Sequence, residues 1–217
     1  MKVEFVKSQD IAHNIKTFWF KPMQKFRFVP GQFTEVTLEH KNLDDRGVKR
    51  WFTISSPPFS ELLGITTKFH DNISTFKQAL LTLSPGEQID FASPIGSFVL
   101  PKDSKIPIVF IAGGIGSTPF NSILENGADD YDITLYYGAQ SDTEVAFADT
   151  FDKLGDKFIK IIGLRLDVSN ILNNTKNPSQ TYFYISGPKP MVEDLKTSLT
   201  DKNIPESHIF MDKFPGY

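Results

Sequence analysis

The amino-acid sequence predicts two domains, an antiparallel barrel or sandwich followed by a parallel sheet with helices on both faces. In residues 1–100 the apolar runs are short, alternate with polar residues and are separated by Gly and Pro, as in antiparallel strands. After residue 100, strand-like apolar runs alternate with helical patterns, as in parallel sheets. The 217 residues suffice for two hydrophobic cores. We therefore expect one domain over residues 1–100 and a second over residues 101–217.

The first domain is expected to contain short strands and one helix. The clearest alternation of apolar and polar residues runs over 33–39, as in a half-buried strand. The predicted strands cover residues 3–6, 18–20, 33–39, 51–54, 63–69 and 88–91. A helix is predicted after Ser74, a good N-cap, because apolar side chains then recur at helical spacing. Pro85 and Gly86 should end it.

The second domain is expected to alternate strands and helices. Its predicted strands cover residues 106–112, 133–137, 158–162, 182–185 and 209–211. One helix should begin with Thr118 as N-cap and Pro119 as its first residue. Another should carry the apolar residues of 145–154 and end at Gly155, and a third should run over 190–199.

Composition excludes several classes of function. The net charge of −3 gives no electrostatic basis for nucleic-acid binding. Cys is absent, which excludes disulfides, thiolate zinc sites and iron–sulfur clusters held by this chain. The four His lack metal-ligand spacing, so no metal site is expected, and no apolar run is long enough to span a membrane. Because the N-terminal residues show no apolar signal region, we expect a cytoplasmic protein.

The strongest motif joins a buried strand to a helix through glycines. Residues 109–120 read Val-Phe-Ile-Ala-Gly-Gly-Ile-Gly-Ser-Thr-Pro-Phe. Glycines allow a ligand to approach the backbone, and a helix N-terminus presents free N–H groups to an anion such as pyrophosphate. The alternative is an ordinary tight turn between strand and helix.

Two further motifs suit a ring-bearing, anionic ligand. Residues 50–57 place Arg50 at a strand start beside aromatic and hydroxyl side chains, which can bind phosphate, stack on a ring and hydrogen-bond it. Residues 184–191 form another strand, Gly-Pro turn and helix, at the sheet edge where parallel sheets bind ligands. The alternatives are a core strand for the first and a plain turn for the second.

These three motifs, in this order, resemble those of the ferredoxin–NADP reductase superfamily. The segments at 30–33, 93–98 and 211–217 are similar to further parts of the family pattern, so the resemblance covers essentially the whole chain. It implies a flavin-binding Greek-key β-barrel followed by a Rossmann-like α/β domain that binds NAD(P)H. The implied cofactor is FAD, with FMN the lesser alternative, and NADH or NADPH is the implied hydride donor.

The resemblance also implies roles for residues of the first domain. Arg50 would bind the flavin phosphate, Trp51 and Phe52 would provide aromatic contacts, and Thr53 would hydrogen-bond flavin N5. The strand residues Thr66, Thr67 and Lys68 would face the pyrimidine end, and Ser74 and Thr75 would make a second phosphate contact. At the end of the sequence, Tyr217 would cover the exposed face of the flavin.

In the second domain the resemblance implies a site for the nicotinamide nucleotide. Its predicted contacts are Gly113, Gly114, Gly116, Ser117, Thr118, Pro119, Gln140, Gly187, Pro188 and Met191. Ser186 stands where the family has Cys, and with Thr53 and Asp212 it completes the predicted catalytic set. Gln140 stands where Arg is common in NADPH enzymes, so the sequence favours NADH or no strong preference.

The function that the resemblance implies is hydride transfer from NAD(P)H to FAD, with electrons passed to a separate ferredoxin, flavodoxin or oxygenase component. Two alternatives stay open. One is a flavin or ferric reductase that uses flavin as a substrate. The other is a non-catalytic flavin- or nucleotide-binding subunit, which Ser186 in place of Cys would suit. Whether the protein is a monomer or a dimer also stays open.

Overall fold

The computed structural model describes residues 1–70 and 72–214; Tyr217, predicted to cover the flavin, lies outside them. Its N-terminal part is a six-stranded antiparallel sheet. The strands are β1 (Lys2–Ala12), β2 (Ile15–Pro22), β3 (Phe33–Thr37), β4 (Lys49–Thr53), β5 (Leu63–Lys68) and β6 (Gln88–Phe91). Their spatial order is β4-β3-β6-β1-β2-β5, so strands distant in sequence lie side by side.

The antiparallel sheet curls into a barrel that does not close. The two edge strands, β4 and β5, are joined just beyond β4 by a bridge between Ile54 and Ile65. Irregular pairing between β1 and β2 near Phe5 adds local twist, as bulges do. The expectation of antiparallel strands is confirmed, and the barrel is an open one.

Phenylalanine fills the interior of the barrel. Phe20 lies 5.6 Å from Phe5 and 5.1 Å from Phe91 between ring centroids. Helix α1 (Thr75–Thr82) closes one end by burying Phe76 and Leu80 against this core. The high Phe content of the chain therefore includes a substantial packing role here.

The C-terminal part is a five-stranded parallel sheet, as predicted. Its strands are β7 (Ile108–Gly113), β8 (Ile133–Ala139), β9 (Phe158–Ile162), β10 (Tyr182–Pro188) and β11 (Ile209–Phe214). The order is β11-β10-β7-β8-β9, and every pairing is parallel. Apolar cores cover both faces of the sheet, which explains why β7 is buried along its whole length.

The helices of this part are α2 (Thr118–Glu125), α3 (Ala148–Phe151), α4 (Val168–Asn173) and α5 (Lys189–Asp201). The prediction of α5 over 190–199 is confirmed. Thr118 is not the N-cap of α2, because a 3₁₀ turn over Gly114–Ser117 leads directly into the helix. The predicted helix over 145–154 is also wrong. Only one α-helical turn forms there, because Phe147 adopts a left-handed φ of 62° just before it.

Helix α4 is missing from the sequence-based prediction, and Asp167 caps it by accepting hydrogen bonds from the N–H groups of Ser169 and Asn170.

Two buried hydrogen bonds fasten helix α2 to the barrel. Asn121 donates to the Ser55 carbonyl at 2.9 Å, and Ser122 donates to the Ser56 carbonyl at 2.7 Å. The residues that follow β4 are therefore held against the residues that follow the glycine loop. The position of the domain boundary at residue 100 stays a prediction.

Within the described ranges, no helix combines the length and apolar character that a bilayer crossing requires.

Candidate functional site

A cleft of about 1300 Å³ lies where the barrel meets the carboxyl edge of the parallel sheet. Both parts contribute to its walls, and many of the predicted cofactor-binding residues line it. These are Trp51, Phe52, Thr53, Thr66, Thr67, Lys68, Gly113, Gly114, Thr118, Gln140, Pro188, Met191 and Asp212. Residues far apart in sequence therefore meet around one space.

The other predicted residues lie behind or beside the cleft walls. Ser186 and Ser117 are fully buried, Gly116 lies in the 3₁₀ turn, Pro119 in the first turn of α2 and Gly187 near the end of β10. Arg50, Ser74 and Thr75 lie near the N-terminus of α1, outside the residues that line the cleft.

A polar cluster from both domains lies at the floor of the cleft. The Thr53 hydroxyl donates to the Asp212 carboxylate at 3.3 Å, joining the end of β4 to β11. Ser186 pairs with Asp212 across β10 and β11. Burial raises the pKa of Asp212 to about 6, while the hydrogen bond from Thr53 and the nearby Ser186 hydroxyl act in the opposite direction. The three residues predicted to be catalytic are therefore brought together.

The buried Ser186 hydroxyl makes no well-formed hydrogen bond to any described residue, although it lies near enough to Asp212 to lower the pKa of that carboxyl. A weak contact between the Ser186 hydroxyl and the Asp212 carboxyl accounts for both observations. The Ser186 hydroxyl therefore keeps unused hydrogen-bonding capacity next to Asp212.

The glycines of the motif after β7 serve different purposes. A Cβ on Gly116 would overlap the backbone of Ser186 and lie 2.6 Å from the Gly187 Cα, so this glycine allows the two turns to pack. Gly113 likewise makes room for the Met191 side chain. Gly114 differs, because it has a φ of 52° and only open space before it. Gly114 is therefore the position at which the backbone is open to a ligand.

Arg50 is buried and engaged by a carboxylate. Its guanidinium donates to both oxygens of Asp44, at 2.7 and 2.8 Å, and to the carbonyls of Arg46 and Gly47. It also lies 5.2 Å from the centroid of the Phe76 ring. Desolvation opposes ionisation of Asp44, but the hydrogen bonds from Arg50 and the Arg46 N–H outweigh it and lower the pKa. One terminal nitrogen of Arg50 therefore contacts both carboxylate oxygens of Asp44, so a phosphate would have to compete for that donor.

The start of α1 is tied to the same loop. Ser74 caps the helix by accepting from the Lys77 N–H, and the Thr75 hydroxyl lies 3.2 Å from His40 Nε2 and accepts from the Asp44 N–H at 3.3 Å. Both hydroxyls therefore have protein partners, and a phosphate would have to share them.

Strand β5 places hydroxyls along the barrel side of the cleft. Thr66 is hydrogen-bonded to Ser55 at 2.8 Å and to Thr17 at 2.9 Å, while Thr67 is buried beside it. Lys68 pairs across the domain junction with Glu144 at 2.7 Å, and both side chains are largely buried. These contacts tie β5 to the neighbouring barrel strand and to the second domain.

Several cleft residues were not predicted from the sequence. They include Phe33, His70, Lys77, Ile95, Glu144, Arg165 and Lys202. Arg165 follows β9, in a loop that packs beside Gln140 through Gly163. The chain has only four Arg, so an Arg directly after a strand of the parallel sheet was a usable signal.

The residues present fit a flavin together with a dinucleotide. The cleft is larger than the roughly 300–1000 Å³ typical of a pocket for one small ligand. It combines aromatic side chains, an open glycine and the hydroxyls of Thr53, Thr66 and Thr67. Within residues 1–70 and 72–214, no three His, Asp or Glu side chains are grouped to hold a metal ion.

Comparison with known proteins finds relatives that share most of the chain. The flavohemoprotein of Bacillus thuringiensis subsp. konkukian is 22% identical over 242 residues, covering 98% of this chain and 59% of the relative. The reductase component of propane 2-monooxygenase from Rhodococcus jostii is 24% identical over 220 residues, covering 87% of this chain and 56% of the relative. The chain thus spans little more than half the length of these relatives. No protein-family model matches it.

A solved structure of similar size shares the fold. The ferredoxin NADP+ reductase from Neisseria gonorrhoeae, with bound FAD and NADP, superimposes with a TM-score of 0.79 at 20% identity over 98% of both chains. In sequence and in fold, the relatives of this chain are ferredoxin–NADP reductase-like flavin- and pyridine-nucleotide-binding proteins, which confirms the resemblance that its motifs predict.

Proposed function

We propose that this chain is a flavin-dependent reductase that takes hydride from NADH or NADPH onto bound FAD and passes electrons to a separate acceptor. The observation that carries the proposal is the contact between Thr53 and Asp212. It joins the two domains at the floor of a cleft that both domains line. A cytoplasmic location, expected from the sequence, is part of the same proposal.

The chain's own residues would position the reactants and manage a proton. FAD, when bound, would supply the hydride-accepting ring and hold the electrons for onward transfer. Thr53 would hydrogen-bond the ring edge, and Asp212 would orient the Thr53 hydroxyl by accepting from it. Because the pKa of Asp212 is about 6, this carboxyl can hold or release a proton near neutral pH.

The nucleotide side of the cleft would bind the hydride donor. Gly114 would let the pyrophosphate approach the 3₁₀ turn that leads into α2, because the first N–H groups of a helical segment attract an anion. Ser186 would support the nicotinamide side from behind the cleft wall, beside Asp212, and Met191 would exclude water where it packs against Gly113.

The proposal is tested by loading the purified protein with FAD and titrating it with NADH and with NADPH without oxygen. We expect the protein to retain FAD and the flavin absorbance to bleach. Chromatography of the released flavin distinguishes FAD from FMN. A protein that binds neither flavin contradicts the proposal, and one that binds flavin without bleaching is the non-catalytic alternative.

The second candidate, a reductase that uses flavin as a substrate, is favoured by one observation. Asp44 already accepts from one terminal nitrogen of Arg50, and backbone carbonyls accept from the other, so a flavin phosphate must compete with groups of the chain. Such competition weakens flavin binding. Flavin that exchanges within the turnover time would support this candidate, whereas flavin retained through gel filtration would support the first.

For the acceptor, we propose a small electron carrier or an oxygenase component, in line with the matched monooxygenase reductase. Trp51 and Ile95 are each about half exposed beside the cleft, and Trp51 contacts the Phe33 ring edge-on at 5.4 Å between ring centroids. Exposed apolar groups beside a redox site suit protein docking. Ile95→Ser, at a position with no predicted cofactor contact, should slow reduction of a protein acceptor while reduction of ferricyanide keeps its rate.

A further inference from the structure

Lys77 is a buried cation on the barrel side of the cleft. It is the third residue of α1, and its side chain lines the cleft although it is only 8% exposed. Its ammonium donates to the carbonyl of Lys68, at the end of β5, at 2.7 Å and lies 5.9 Å from the centroid of the Phe69 ring. The charge is therefore held in a fixed place next to the strand predicted to face the flavin.

The position of Lys77 is unfavourable for a cation on local grounds. Ser74 is the N-cap, so Lys77 occupies the place where a capping box has Glu or Gln. The helix dipole at this end repels positive charge. Burial, and then the nearby charge of Arg46, lower the pKa of Lys77 to about 8, so the ammonium still predominates at neutral pH. Helix stability therefore does not explain a lysine here.

No carboxylate within the described part of the chain forms an ion pair with Lys77. The neighbouring Lys68, by contrast, is paired with Glu144 at 2.7 Å. A buried charge without a counter-charge is costly in an apolar setting, and such violations are expected at functional sites. The compensating negative charge is then expected from the molecule that fills the cleft.

We propose that Lys77 faces the pyrimidine end of the flavin and favours its reduced form by supplying positive charge. This inference rests on the proposed function. A flavin gathers negative charge on the N1 and O2 side of its ring on reduction, and charge placed near that side is one of the protein's means of tuning the cofactor. Lys77 reaches the cleft from α1. It lies beside Lys68 of strand β5, which is predicted to contact the pyrimidine end of the flavin.

The test compares the two-electron midpoint potential of the FAD-loaded wild type with Lys77→Met and Lys77→Arg. Met keeps the length of the side chain without its charge, and Arg keeps the charge. We expect Lys77→Met to weaken the preference for reduced over oxidised flavin about tenfold, which is about 30 mV more negative for a two-electron couple. Lys77→Arg should stay close to the wild type. Lys25→Met, which removes an exposed charge outside the cleft, is the matched control.

Two results would overturn the inference. One is a Lys77→Met potential equal to that of the wild type. The other is an equal loss of affinity for oxidised and reduced FAD with riboflavin binding unchanged, because the charge would then serve the phosphates. If the wild type itself binds no flavin, the proposed function fails instead. Thermal melting of each loaded variant separates these readings from a loss of folding.

Discussion

The Thr53 hydroxyl, at the end of a barrel strand, donates to the carboxylate of Asp212, on the edge strand of the parallel sheet, at 3.3 Å. The two residues are 159 positions apart in sequence, and their contact crosses the domain junction. Because the buried Asp212 carboxyl has a pKa of about 6, the charge of this contact depends on pH in a measurable way.

The raised pKa of Asp212 predicts a stability change between pH 4 and pH 6. The unfolded chain releases this proton near the ordinary pKa of 3.8, whereas the folded protein keeps it until about 6. The favourable contribution is therefore complete below pH 4 and is lost as pH rises through 6, by about 3 kcal/mol in total. Asp212→Asn should remove this loss, which urea unfolding across this pH range would measure.

Two variants control for this result. Asp156→Asn changes an exposed carboxylate and should leave the pH profile as in the wild type. Thr53→Val removes a hydrogen bond that lowers the pKa of Asp212, so the loss of stability on ionisation of Asp212 should extend to higher pH. Parallel profiles for Asp212→Asn and the wild type would show that Asp212 titrates normally.

Gly114 and Gly116 are expected to respond in opposite ways to an added methyl group. The methyl group of Gly116→Ala would overlap backbone atoms of Ser186 and Gly187 and displace them. This substitution should lower the free energy of unfolding by about 1–3 kcal/mol. Gly114→Ala adds a Cβ in open space, so its loss of about 1–2 kcal/mol comes only from the left-handed backbone.

Ligand binding should show the reverse order. Gly114→Ala should weaken NADH and NADPH binding about tenfold, because its methyl group enters the space before the loop. Gly116→Ala, where it is still folded, should change the dissociation constant much less. Calorimetric titration gives both values, and equal affinities for Gly114→Ala and the wild type would place the nucleotide elsewhere.

Arg50 and Asp44 are expected to have opposite effects on flavin affinity. Arg50→Ala removes the guanidinium that is predicted to bind the flavin phosphate and should weaken FAD binding at least tenfold. Asp44→Asn removes the competing carboxylate and should strengthen FAD binding several-fold. Fluorescence titration with FAD and riboflavin measures both. Riboflavin, which has no phosphate, should bind all three proteins alike, and a uniform loss would indicate altered folding.

Arg165 is expected to influence the choice of nucleotide. It lines the cleft in the loop that packs beside Gln140, at the sheet edge where the nucleotide is predicted to bind. Arginine is well suited to a phosphate monoester such as the 2′-phosphate of NADPH. Arg165→Ala should raise the KM for NADPH about tenfold and that for NADH little. An equal effect on both would assign Arg165 to a group that they share.

Much of the fold could be predicted because its signals are local. Alternation over 33–39 and the buried run before Gly113 reflect which side chains face a core, and the structure has strands at both. The prediction of a helix over 145–154 failed because apolar periodicity gives no information on the backbone angles of a single residue. Phe147 takes a left-handed backbone that its apolar pattern does not reveal.

The candidate site could be predicted only in part. Thr53 and Gly114 could be predicted because the residues around each of them form a recognisable motif. Both line the cleft. Lys77 and Glu144 belong to no motif. They line the cleft because the packing of their segments brings them there, which the neighbouring residues in the sequence do not indicate. Arg50 matches its motif, yet its pairing with Asp44 depends on a loop whose course the sequence does not state.

By itself the sequence determined the two kinds of sheet, the order of their strands along the chain and the residue types available for chemistry. These follow from side-chain period, turn residues and composition, which act over a few neighbouring positions. Only the tertiary structure decided that Asp212 meets Thr53, that Asp44 engages Arg50 and that Lys77 is buried beside the cleft. Such contacts join distant segments, and their energies depend on desolvation and distance, which exist only once the chain has folded.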